Sequence, residues 1–320
     1  MVSPKHVRHK TKNVSVEYPC SWYPVCLSSE LKRKKPIKLQ AFGRHFVAFR
    51  SVNGEVHVMQ RYCPHMGVDL SLGTVDTHLT CPLHNRKFPE SSCSAKRDNL
   101  PITFDSKEEA GIIFVLLGEK GSKAYPLEIA QGCQSFVATY DYSAPFQMVG
   151  MNGFDTHHLD IVHNRKLTEP AKVEIIDESS ISINYKASVS GNNLRDRMLR
   201  FLNFDSVDIC IKSYANSLLL FDHKKIGAQT LLGLLPVEKN RTRIFVTTIL
   251  TGKSRSLVNR FKSYLIQKSI IKFLKQDFKP LWGSRFMPEG MAQPHDEFAI
   301  IWHNHYEGIP KISVCREDEE

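Results

Sequence analysis

The chain has 320 residues, of which 42% are hydrophobic, 24% charged and 10% aromatic, a composition that indicates a folded globular protein and excludes collagenous, low-complexity and coiled-coil classes. No apolar run approaches 18 residues, and the basic segment Met1–Lys12 lacks the apolar stretch of a secretory signal, so we expect neither a membrane span nor a signal peptide. The net charge of +10 indicates a solvated basic surface or an acidic protein partner; nucleic acid is the weaker explanation, because no helix-turn-helix, RNP or zinc-finger pattern accompanies the charge.

The first third of the chain is predicted to be a small all-β unit. Short alternating runs at Phe46–Arg50 and Val56–Met59 flank Asn53-Gly54, which is the strongest short hairpin signal. Ile112–Leu117 predicts another strand that closes this unit. The Gly, Lys and Ser stretch from Gly118 to about Ala124 is typical of a linker.

The remainder of the chain mixes predicted strands with a long predicted helix. Ser180–Asn184, Ser217–Phe221 and Arg243–Leu250 are predicted strands of a second sheet, and the longest helix is predicted from Ser256 to about Leu281. At about 150 residues per domain, this pattern predicts two domains. We place them at residues 18–120 and 125–320, with residues 1–17 either flexible or packed on the second. The eight cysteines are too sparse for a disulfide scaffold, which favours a reducing, cytoplasmic location.

Residues 63 to 84 contain two short motifs whose spacing predicts a metal site. Cys63-Pro-His65 is followed, after fifteen residues, by Cys81-Pro-Leu-His84, so each half supplies one thiolate and one imidazole. Structural zinc also takes two Cys and two His, but zinc fingers usually pair Cys with Cys and His with His. A Rieske [2Fe–2S] centre needs the split arrangement, because two thiolates bind one iron and two imidazoles bind the other. The motif therefore predicts a [2Fe–2S] cluster held by Cys63, His65, Cys81 and His84, with zinc as the alternative.

The residues around these motifs resemble the Rieske oxygenase family. Pro64, Gly67 and Pro82 suit tight loops whose backbone N–H groups can face cluster sulfurs. Respiratory Rieske proteins carry an extra Cys in each cluster loop, whereas Val68 and Leu83 stand at those places here. The resemblance implies the oxygenase or ferredoxin type, with a potential at the low end of the range of about −150 to +300 mV, which a nicotinamide-fed reductase can reach.

The segment after the last predicted cluster ligand departs from that family. The family commonly has His-Gly-Trp there, and this chain has His84-Asn85-Arg86. We expect ligation to survive this change, and local packing and partner docking to be the properties that it affects.

A second motif lies at Asn152–His163. Asp155 and His158 are three residues apart and are predicted to share a helix face, whereas His158 and His163 are five apart, about 140° around an ideal helix. For both imidazoles to converge, the helix is predicted to widen or break between them, as helices often do at functional sites. The motif is similar to the family pattern N-x2-D-x2-H-x4-H, which implies that His158 and His163 are two ligands of a 2-His-1-carboxylate iron; the alternative is a group of surface or capping polar side chains.

The other polar residues of this motif have different expected roles. We expect His157 to be a pocket or surface histidine and Asp160 a supporting or structural acid, because the family pattern leaves both positions free. By resemblance, Asp155 bridges, across a subunit boundary, a cluster histidine of one subunit and an iron-binding histidine of the next. That role implies a homotrimer, and a carboxylate so placed fixes the orientation of an imidazole and raises its basicity.

The third ligand of the predicted iron site is sought among the acids that follow His163. Ile266, Ile270, Leu274, Asp277 and Leu281 are spaced by four, four, three and four residues, which places Asp277 on the apolar stripe of the long helix. A carboxylate that faces a core must be paired or bound to metal. Gln276-Asp277 also resembles the late-helix acid of the family, so Asp277 is the predicted ligand; Asp296 or Glu297 and a non-ligand role for Asp277 are the alternatives.

Together the motifs resemble a Rieske non-haem iron oxygenase α-subunit of the short, homotrimeric monooxygenase type. The resemblance implies an α+β fold, in which an all-β Rieske domain precedes a helix-grip domain with an antiparallel sheet and a long helix. It also implies one [2Fe–2S] cluster and one mononuclear Fe(II) per chain. The implied substrate is an apolar small molecule, with an aromatic one preferred, that is hydroxylated, demethylated or desaturated with O2. An external reductase or ferredoxin is implied as the electron donor, since no G-x-G-x-x-G dinucleotide motif occurs. The rival hypotheses are a Rieske electron carrier with a non-catalytic second domain and a zinc-stabilised binding protein.

Overall fold

The computed structural model describes residues 15–89, 96–97, 100–101, 103–118, 132–191, 197 and 206–315. The N-terminal part is built from short strands: β1 (Ser15–Pro19), β2 (Ser21–Leu27), β3 (Ile37–Ala41), β4 (Arg44–Arg50), β5 (Val56–Gln60), β6 (Thr74–Val75), β7 (Leu79–Thr80), β8 (Lys87–Phe88), β9 (Lys96–Arg97), β10 (Leu100–Pro101), β11 (Thr103–Phe104), β12 (Ser106–Glu109) and β13 (Ile112–Leu117). They form antiparallel sheets in the orders β11-β5-β4-β3, β12-β13-β2 and β6-β7-β8, with β9 and β10 as a separate pair.

The predicted hairpin at Asn53-Gly54 is confirmed. Strands β4 and β5 pair from Arg50 opposite Val56, and Gly54 has a φ of +92°, which a side chain would strain. The predicted strand Ile112–Leu117 is also confirmed, and all six of its residues are buried. The predicted linker lies, apart from Gly118, outside the described residues.

The C-terminal part contains the larger sheet and the longer helices. Its strands are β14 (Gly132–Gln134), β15 (Ala138–Tyr142), β16 (Lys172–Ile175), β17 (Ser180–Ser188), β18 (Ser206–Tyr214), β19 (Leu218–His223), β20 (Ala228–Glu238), β21 (Arg241–Thr251) and β22 (Lys311–Cys315), and its helices are α1 (Phe146–Met151), α2 (His158–His163), α3 (Leu257–Leu281) and α4 (Glu297–Gly308). Eight strands form one antiparallel sheet, in which β14 and β15 both pair with β21, followed by β20, β19, β18, β17 and β16. The predicted α+β fold, a β-rich domain followed by an antiparallel sheet with a long helix, is confirmed.

Helix α3 begins where its sequence predicts, and the most buried part of its surface is partly polar. The Ser256 hydroxyl caps its first turn by accepting a hydrogen bond from the Asn259 N–H at 3.2 Å. On the face toward the sheet, Ser263 Oγ and Gln267 Nε2 donate to backbone carbonyls of β21 at 2.8 and 2.9 Å. Asp277 is buried as predicted, whereas the apolar residues of the predicted stripe are half-buried: Ile266, Ile270, Leu274 and Leu281. The helix therefore carries one carboxylate to the inside of the second domain.

The two parts of the chain are joined by close contacts between β2, β3 and β20. The hydroxyls of Ser21 and Ser217 lie 2.8 Å apart, and the N–H of Phe42 donates to the carbonyl of Pro236. Gly233 leaves room for Pro24, because a Cβ at this position would come within 2.8 Å of the proline ring. The first strand, β1, pairs with β22 near the other end of the chain. Among the described helices, none combines the length and the apolar character needed to cross a bilayer.

Candidate active site

The two cluster-motif loops have the same backbone geometry. In each loop the cysteine N–H donates to a carbonyl five residues later, from Cys63 to Val68 and from Cys81 to Arg86, both at 2.8 Å. In each loop the N–H of the fourth residue after the cysteine donates back to the cysteine carbonyl, and that residue, Gly67 or Asn85, has a left-handed φ of 72° or 56°. The two motifs therefore form a matched pair of tight turns.

These loops bring the four predicted cluster ligands together. His65 Nδ1 and His84 Nδ1 lie 3.2 Å apart on the surface, while Cys63 and Cys81 are buried behind them. Burial alone would raise the pKa of the Cys81 thiol, but hydrogen bonds from the backbone N–H groups of Leu83 and His84 stabilise the thiolate and hold the pKa below its usual value. Two buried thiols and two converging imidazole nitrogens are the donor set that a [2Fe–2S] cluster of the Rieske type requires.

The departure at Asn85-Arg86 leaves the loop geometry intact. Asn85 adopts the left-handed conformation that the family glycine would supply, and asparagine is among the few residues that tolerate it. The guanidinium of Arg86 lies 5.7 Å from the ring centroid of Phe88, so it packs beside a buried aromatic residue. The change is therefore compatible with the turn geometry that the two loops share.

The geometry of the second motif differs from the prediction in two ways. Asp155 lies before α2 and does not share a helix face with His158; its Oδ1 instead accepts hydrogen bonds from the N–H groups of His157 and His158 at 3.0 and 3.3 Å. The predicted widening or break between His158 and His163 is wrong, because α2 is a regular helix from one to the other. Convergence arises because His158 is its first residue and His163 its last, and the ring centroids lie 5.3 Å apart.

His158, His163 and Asp277 form a candidate metal site. One potential ligand atom from each lies within 4.8 Å of the other two. His163 Nε2 is 2.8 Å from Asp277 Oδ1, and His158 Nε2 is 3.7 Å from the same oxygen. The alternatives Asp296 and Glu297 are not part of this group, and Asp296 instead accepts a hydrogen bond from the N–H of Gln293 at 2.9 Å.

In both histidines of this group, Nδ1 contacts an oxygen atom of a neighbouring residue and Nε2 faces Asp277. His163 Nδ1 lies 2.9 Å from Gln276 Oε1, and His158 Nδ1 contacts the backbone carbonyl of Asp155. Because these oxygens only accept, each Nδ1 must carry the proton, which leaves the Nε2 lone pair for a metal ion. The supporting role of Gln276 was not predicted from the sequence, although its place next to Asp277 was the available signal.

The local environment of these residues fits a metal ion. His163 Nε2 is buried and has no partner with hydrogen-bond geometry among the described residues, which is unfavourable unless an ion occupies the space. Burial is the main influence on His158 and lowers its pKa, in spite of the opposing charges of Asp277 and Asp155, so the neutral form that binds metals is favoured. Phe273 stacks on His163 with a centroid distance of 3.7 Å. Two imidazoles and one carboxylate match the 2-His-1-carboxylate donor set of non-haem Fe(II).

The other polar residues of the second motif lie outside this group. His157 is exposed and stacks on His295 at a centroid distance of 4.2 Å, in agreement with the predicted surface histidine. Asp160 is also exposed, and its carboxylate is 3.9 Å from Lys166 Nζ. Neither residue is directed at the candidate metal site.

An apolar cavity ends at this site. Its empty volume is about 750 Å³ including its mouth, and His158 and Asp277 form part of its wall. Most other lining residues are aliphatic or aromatic, and they come from α3, from the sheet that it covers and, in the case of Val149, from α1: Tyr140, Tyr142, Val149, Tyr185, Ile211, Leu219, Phe221, Leu232, Ile244, Val246, Ile271, Phe273, Leu274, Phe278 and Leu281. A cavity that is mostly apolar, with a few convergent polar groups, is typical of a small-molecule site.

Sequence reasoning named few of these lining residues. Among the large aromatic side chains of this part of the chain, Phe221 lines the cavity, whereas Phe146 and Phe154 are buried in the core and Trp282 is 64% exposed. The lining residues that the sequence did not indicate come mainly from strands β15 and β18 to β21. Their side chains alternate toward the interior, and this alternation is the same whether a side chain lines a cavity or packs in a core.

Comparisons with known proteins agree with this arrangement. Residues 21–103 match the model of the Rieske [2Fe-2S] domain family. Cholesterol 7-desaturase nvd of Drosophila melanogaster is 28% identical over 167 residues, 46% of this chain and 39% of that protein. The 3-chlorobenzoate-3,4-dioxygenase oxygenase subunit of Comamonas testosteroni is 34% identical over 112 residues, 31% of this chain and 26% of that protein. The chain thus spans less than half the length of these curated relatives.

The similarity to solved structures extends over both domains. Dicamba monooxygenase bound to dicamba aligns with a TM-score of 0.63 and 18% identity, over 91% of this chain and 97% of that chain. Another structure of that enzyme, with non-heme iron and dicamba, has a TM-score of 0.59 and 17% identity over 91% of this chain and 96% of that chain. The family match shows a Rieske [2Fe-2S] domain in the N-terminal part of the chain, and the fold places a larger antiparallel sheet with a long helix after it. The relatives to which the chain is similar include an oxygenase subunit and a monooxygenase, and this similarity supports a Rieske non-haem iron oxygenase α-subunit.

Proposed function

We propose that the protein uses O2 and electrons from an external NAD(P)H-dependent reductase or ferredoxin to oxidise an apolar small molecule by hydroxylation, demethylation or desaturation. The observation that carries this proposal is the position of His158, His163 and Asp277, since two of the three form the wall of the apolar cavity. A substrate in the cavity would therefore lie beside the candidate metal site. An electron carrier has no need of such an arrangement.

Two metal groups are assigned to this chain in the proposal. Cys63, His65, Cys81 and His84 would hold the [2Fe–2S] cluster, and His158, His163 and Asp277 would hold Fe(II). When bound, the cluster supplies electrons one at a time, and the ferrous ion supplies the site of O2 activation. The exposed position of His65 and His84 supports electron arrival from outside the chain.

The protein residues around the proposed Fe(II) site orient its ligands and exclude water. Gln276 and the backbone carbonyl of Asp155 fix the ring orientation of the two histidines. Tyr142 donates its hydroxyl to the carbonyls of Asp277 and Phe278 at 2.9 and 3.0 Å, which anchors the end of α3 to β15. The apolar lining keeps the space between these groups and the substrate dry, which strengthens electrostatic interactions there.

The lining of the cavity supports an apolar substrate, aromatic or polycyclic. Leu219, Leu232 and Ile271 offer no hydrogen bonds, and the tyrosine hydroxyls of the lining are among the few groups that could contact a polar substituent. The curated relatives include a cholesterol 7-desaturase and a 3-chlorobenzoate dioxygenase subunit, both named for substrates with a large apolar part. These relatives support the class of substrate.

A homotrimer is the proposed working unit. Asp155 supports it, because the carboxylate that orders the start of α2 is still 37% exposed and its Oδ2 lies 3.8 Å from His158 Nδ1. A cluster histidine of a neighbouring subunit could approach this carboxylate from outside. The proposed location is cytoplasmic, and the net charge of +10 supports an acidic electron-donor protein.

The proposal is tested by turnover with a surrogate reductase. Iron-replete protein is incubated with NADH, a plant-type ferredoxin and its reductase, and a panel of sterols and substituted benzoates, and products are analysed by mass spectrometry. We expect substrate-dependent NADH oxidation and a product 16 mass units heavier, or 14 or 2 lighter, that disappears in Asp277→Asn but not in Asp296→Asn. A cluster that is reduced at a normal rate, with no product from any compound and with iron absent from the second site, would show an electron carrier instead.

A further inference from the structure

The outer face of helix α3 carries an exposed apolar patch that the proposed reaction does not use. Leu257, Val258, Phe261 and Leu265 have exposed fractions of 83, 63, 61 and 49%. Each residue of an α-helix is rotated by about 100° from the one before it. By this rotation the four side chains lie within an arc of about 100° around the helix axis, opposite the face that packs on the sheet. Large apolar side chains grouped in this way usually mark an interaction surface.

The patch extends onto the neighbouring connection between β14 and β15. Phe136 in that connection is 71% exposed, and the guanidinium of Arg260 lies 5.3 Å from the centroid of its ring. Five large apolar side chains from two separate chain segments therefore share one side of the second domain. This patch is here called the α3 outer patch and consists of Phe136, Leu257, Val258, Phe261 and Leu265.

Positive charge surrounds this patch. The sequence has no acid between Glu238 and Asp277, and seven exposed cations lie in the segment from Lys253 to Lys275: Lys253, Arg255, Arg260, Lys262, Lys268, Lys272 and Lys275. None of the seven lies within salt-bridge distance of an acid of the described part of the chain. The surface thus offers apolar side chains and uncompensated cations together.

We propose that the α3 outer patch docks the protein on an anionic lipid surface. Apolar side chains that enter the acyl boundary and Lys and Arg that reach lipid headgroups are the two components of interfacial membrane binding. A two-fold, self-complementary contact between copies of this chain is disfavoured, because it would bring the seven cations against themselves. An electron-donor protein is disfavoured, because the exposed histidines at which the proposed function has electrons arrive lie in the N-terminal part of the chain.

The position of the patch on α3 connects it with the cavity. Ile271, Leu274 and Phe278, further along the same helix, line the apolar cavity. Docking would therefore hold the second domain beside the phase in which an apolar substrate dissolves. The docking itself does not depend on the proposed function, and its test requires neither iron nor turnover.

The test is sedimentation of the full 320-residue chain with large unilamellar vesicles. One set contains phosphatidylcholine alone, and the other contains about one third phosphatidylserine, as in an anionic cytoplasmic leaflet. We expect binding to the anionic vesicles and little to the neutral ones. The double variant Phe261→Ser/Leu265→Ser should lower the partition coefficient about tenfold or more, because two apolar anchors are removed. The variant Lys268→Glu should lower it roughly fivefold at low salt.

The controls separate this patch from other parts of the surface. Ile175 and Ile176 are 61% and 46% exposed but lie at the far edge of the sheet, so Ile175→Ser/Ile176→Ser should bind vesicles as the wild type does. The basic segment Met1–Lys12 is unchanged in every variant, so its contribution stays constant. The proposal would be overturned if the wild type did not bind anionic vesicles. It would also be overturned if Phe261→Ser/Leu265→Ser bound them as strongly as the wild type. Self-association in sedimentation velocity that only this variant abolishes would assign the patch to a second copy and would also overturn it.

Discussion

The side chain of Gln276 accepts a hydrogen bond from His163 across a distance of 2.9 Å between Oε1 and Nδ1. Gln276 directly precedes Asp277 in α3, so one helix turn supplies a candidate ligand and also the group that orients another. The proton is thereby held on Nδ1, and Nε2 remains available on the side of the carboxylate.

Loss of this acceptor should weaken Fe(II) binding without unfolding the protein. In Gln276→Leu, His163 would keep its place in α2 but lose the partner of its Nδ1–H, and we expect Fe(II) affinity to fall roughly 10- to 100-fold. Competition with a chelator measures this, with the cluster absorbance as an internal check. Gln276→Glu keeps an acceptor oxygen and should retain most of the affinity. Equal affinity of Gln276→Leu and the wild type would show that the hydrogen bond has no part in metal binding.

Helix α1 packs closely on Asn216 through Gly150. A Cβ on Gly150 would lie 1.4 Å from Asn216 Oδ1, and Asn216 is buried and donates from its amide to the Phe146 carbonyl at 3.0 Å. We therefore expect Gly150→Ala to lower the free energy of unfolding by about 1 to 3 kcal/mol. Gly153→Ala is the matched control, since a Cβ there has no neighbour closer than 3.5 Å. Urea denaturation of both variants measures the difference, and equal losses would contradict the packing argument.

The half-buried His223 of β19 should make stability depend on pH. Burial lowers the pKa of His223 from its usual 6.5 to about 4, with partial opposition from Asp222. Between these values the unfolded chain binds a proton that the folded chain does not, so stability is lost as pH falls from about 6.5 to about 4, at up to about 1.4 kcal/mol per pH unit.

Substitution of this residue isolates its contribution. His223→Gln should lose less free energy of unfolding than the wild type over the same pH range, whereas exposed His295→Gln should follow the wild type. Denaturant titrations at a series of pH values provide the measurement. Parallel curves for His223→Gln and wild type would contradict the assignment.

The second cluster loop should tolerate glycine at position 85 but not valine. Asn85 has a φ of 56°, which glycine adopts without strain and which is costly for a β-branched residue, by roughly 1 to 2 kcal/mol or more. We expect iron and acid-labile sulfide per chain to be unchanged in Asn85→Gly and reduced in Asn85→Val. Gly67→Val tests the equivalent turn of the first loop and, like Asn85→Val, should reduce iron and acid-labile sulfide per chain. Full cluster content in both valine variants would show that the loop geometry is not required.

The structural features that depend on residues close together in the sequence were predictable. The split Cys and His motifs, the Asn53-Gly54 hairpin, the strand Ile112–Leu117 and the helix from Ser256 to Leu281 all have short-range signals, and the fold class followed from them. Asp277 could be placed on a buried helix face because a periodicity of 3.6 residues defines that face. The structure brings this carboxylate to His158 and His163, at a separation of 2.8 Å from the nearer imidazole nitrogen.

Features that depend on tertiary contacts were not predictable. The convergence of His158 and His163 was attributed to a distorted helix, but the helix is regular and so short that the two residues are its ends. The contact of Gln276 with His163 joins positions more than 100 residues apart, and its one signal in the sequence is the place of Gln276 next to Asp277. The cavity lining likewise depends on which strands α3 covers, since the strands that supply it have no pattern that separates cavity from core.

The most direct test of the two-site account is electron paramagnetic resonance of the iron-reconstituted chain. The reduced cluster is observed by itself, and the ferrous site is observed as its nitric oxide adduct, in wild type, Asp277→Ala and Asp296→Ala. The account predicts both signals in wild type and Asp296→Ala, and loss of the nitric oxide signal alone in Asp277→Ala. A cluster signal without any nitric oxide signal, in folded and iron-replete wild-type protein, would contradict the account.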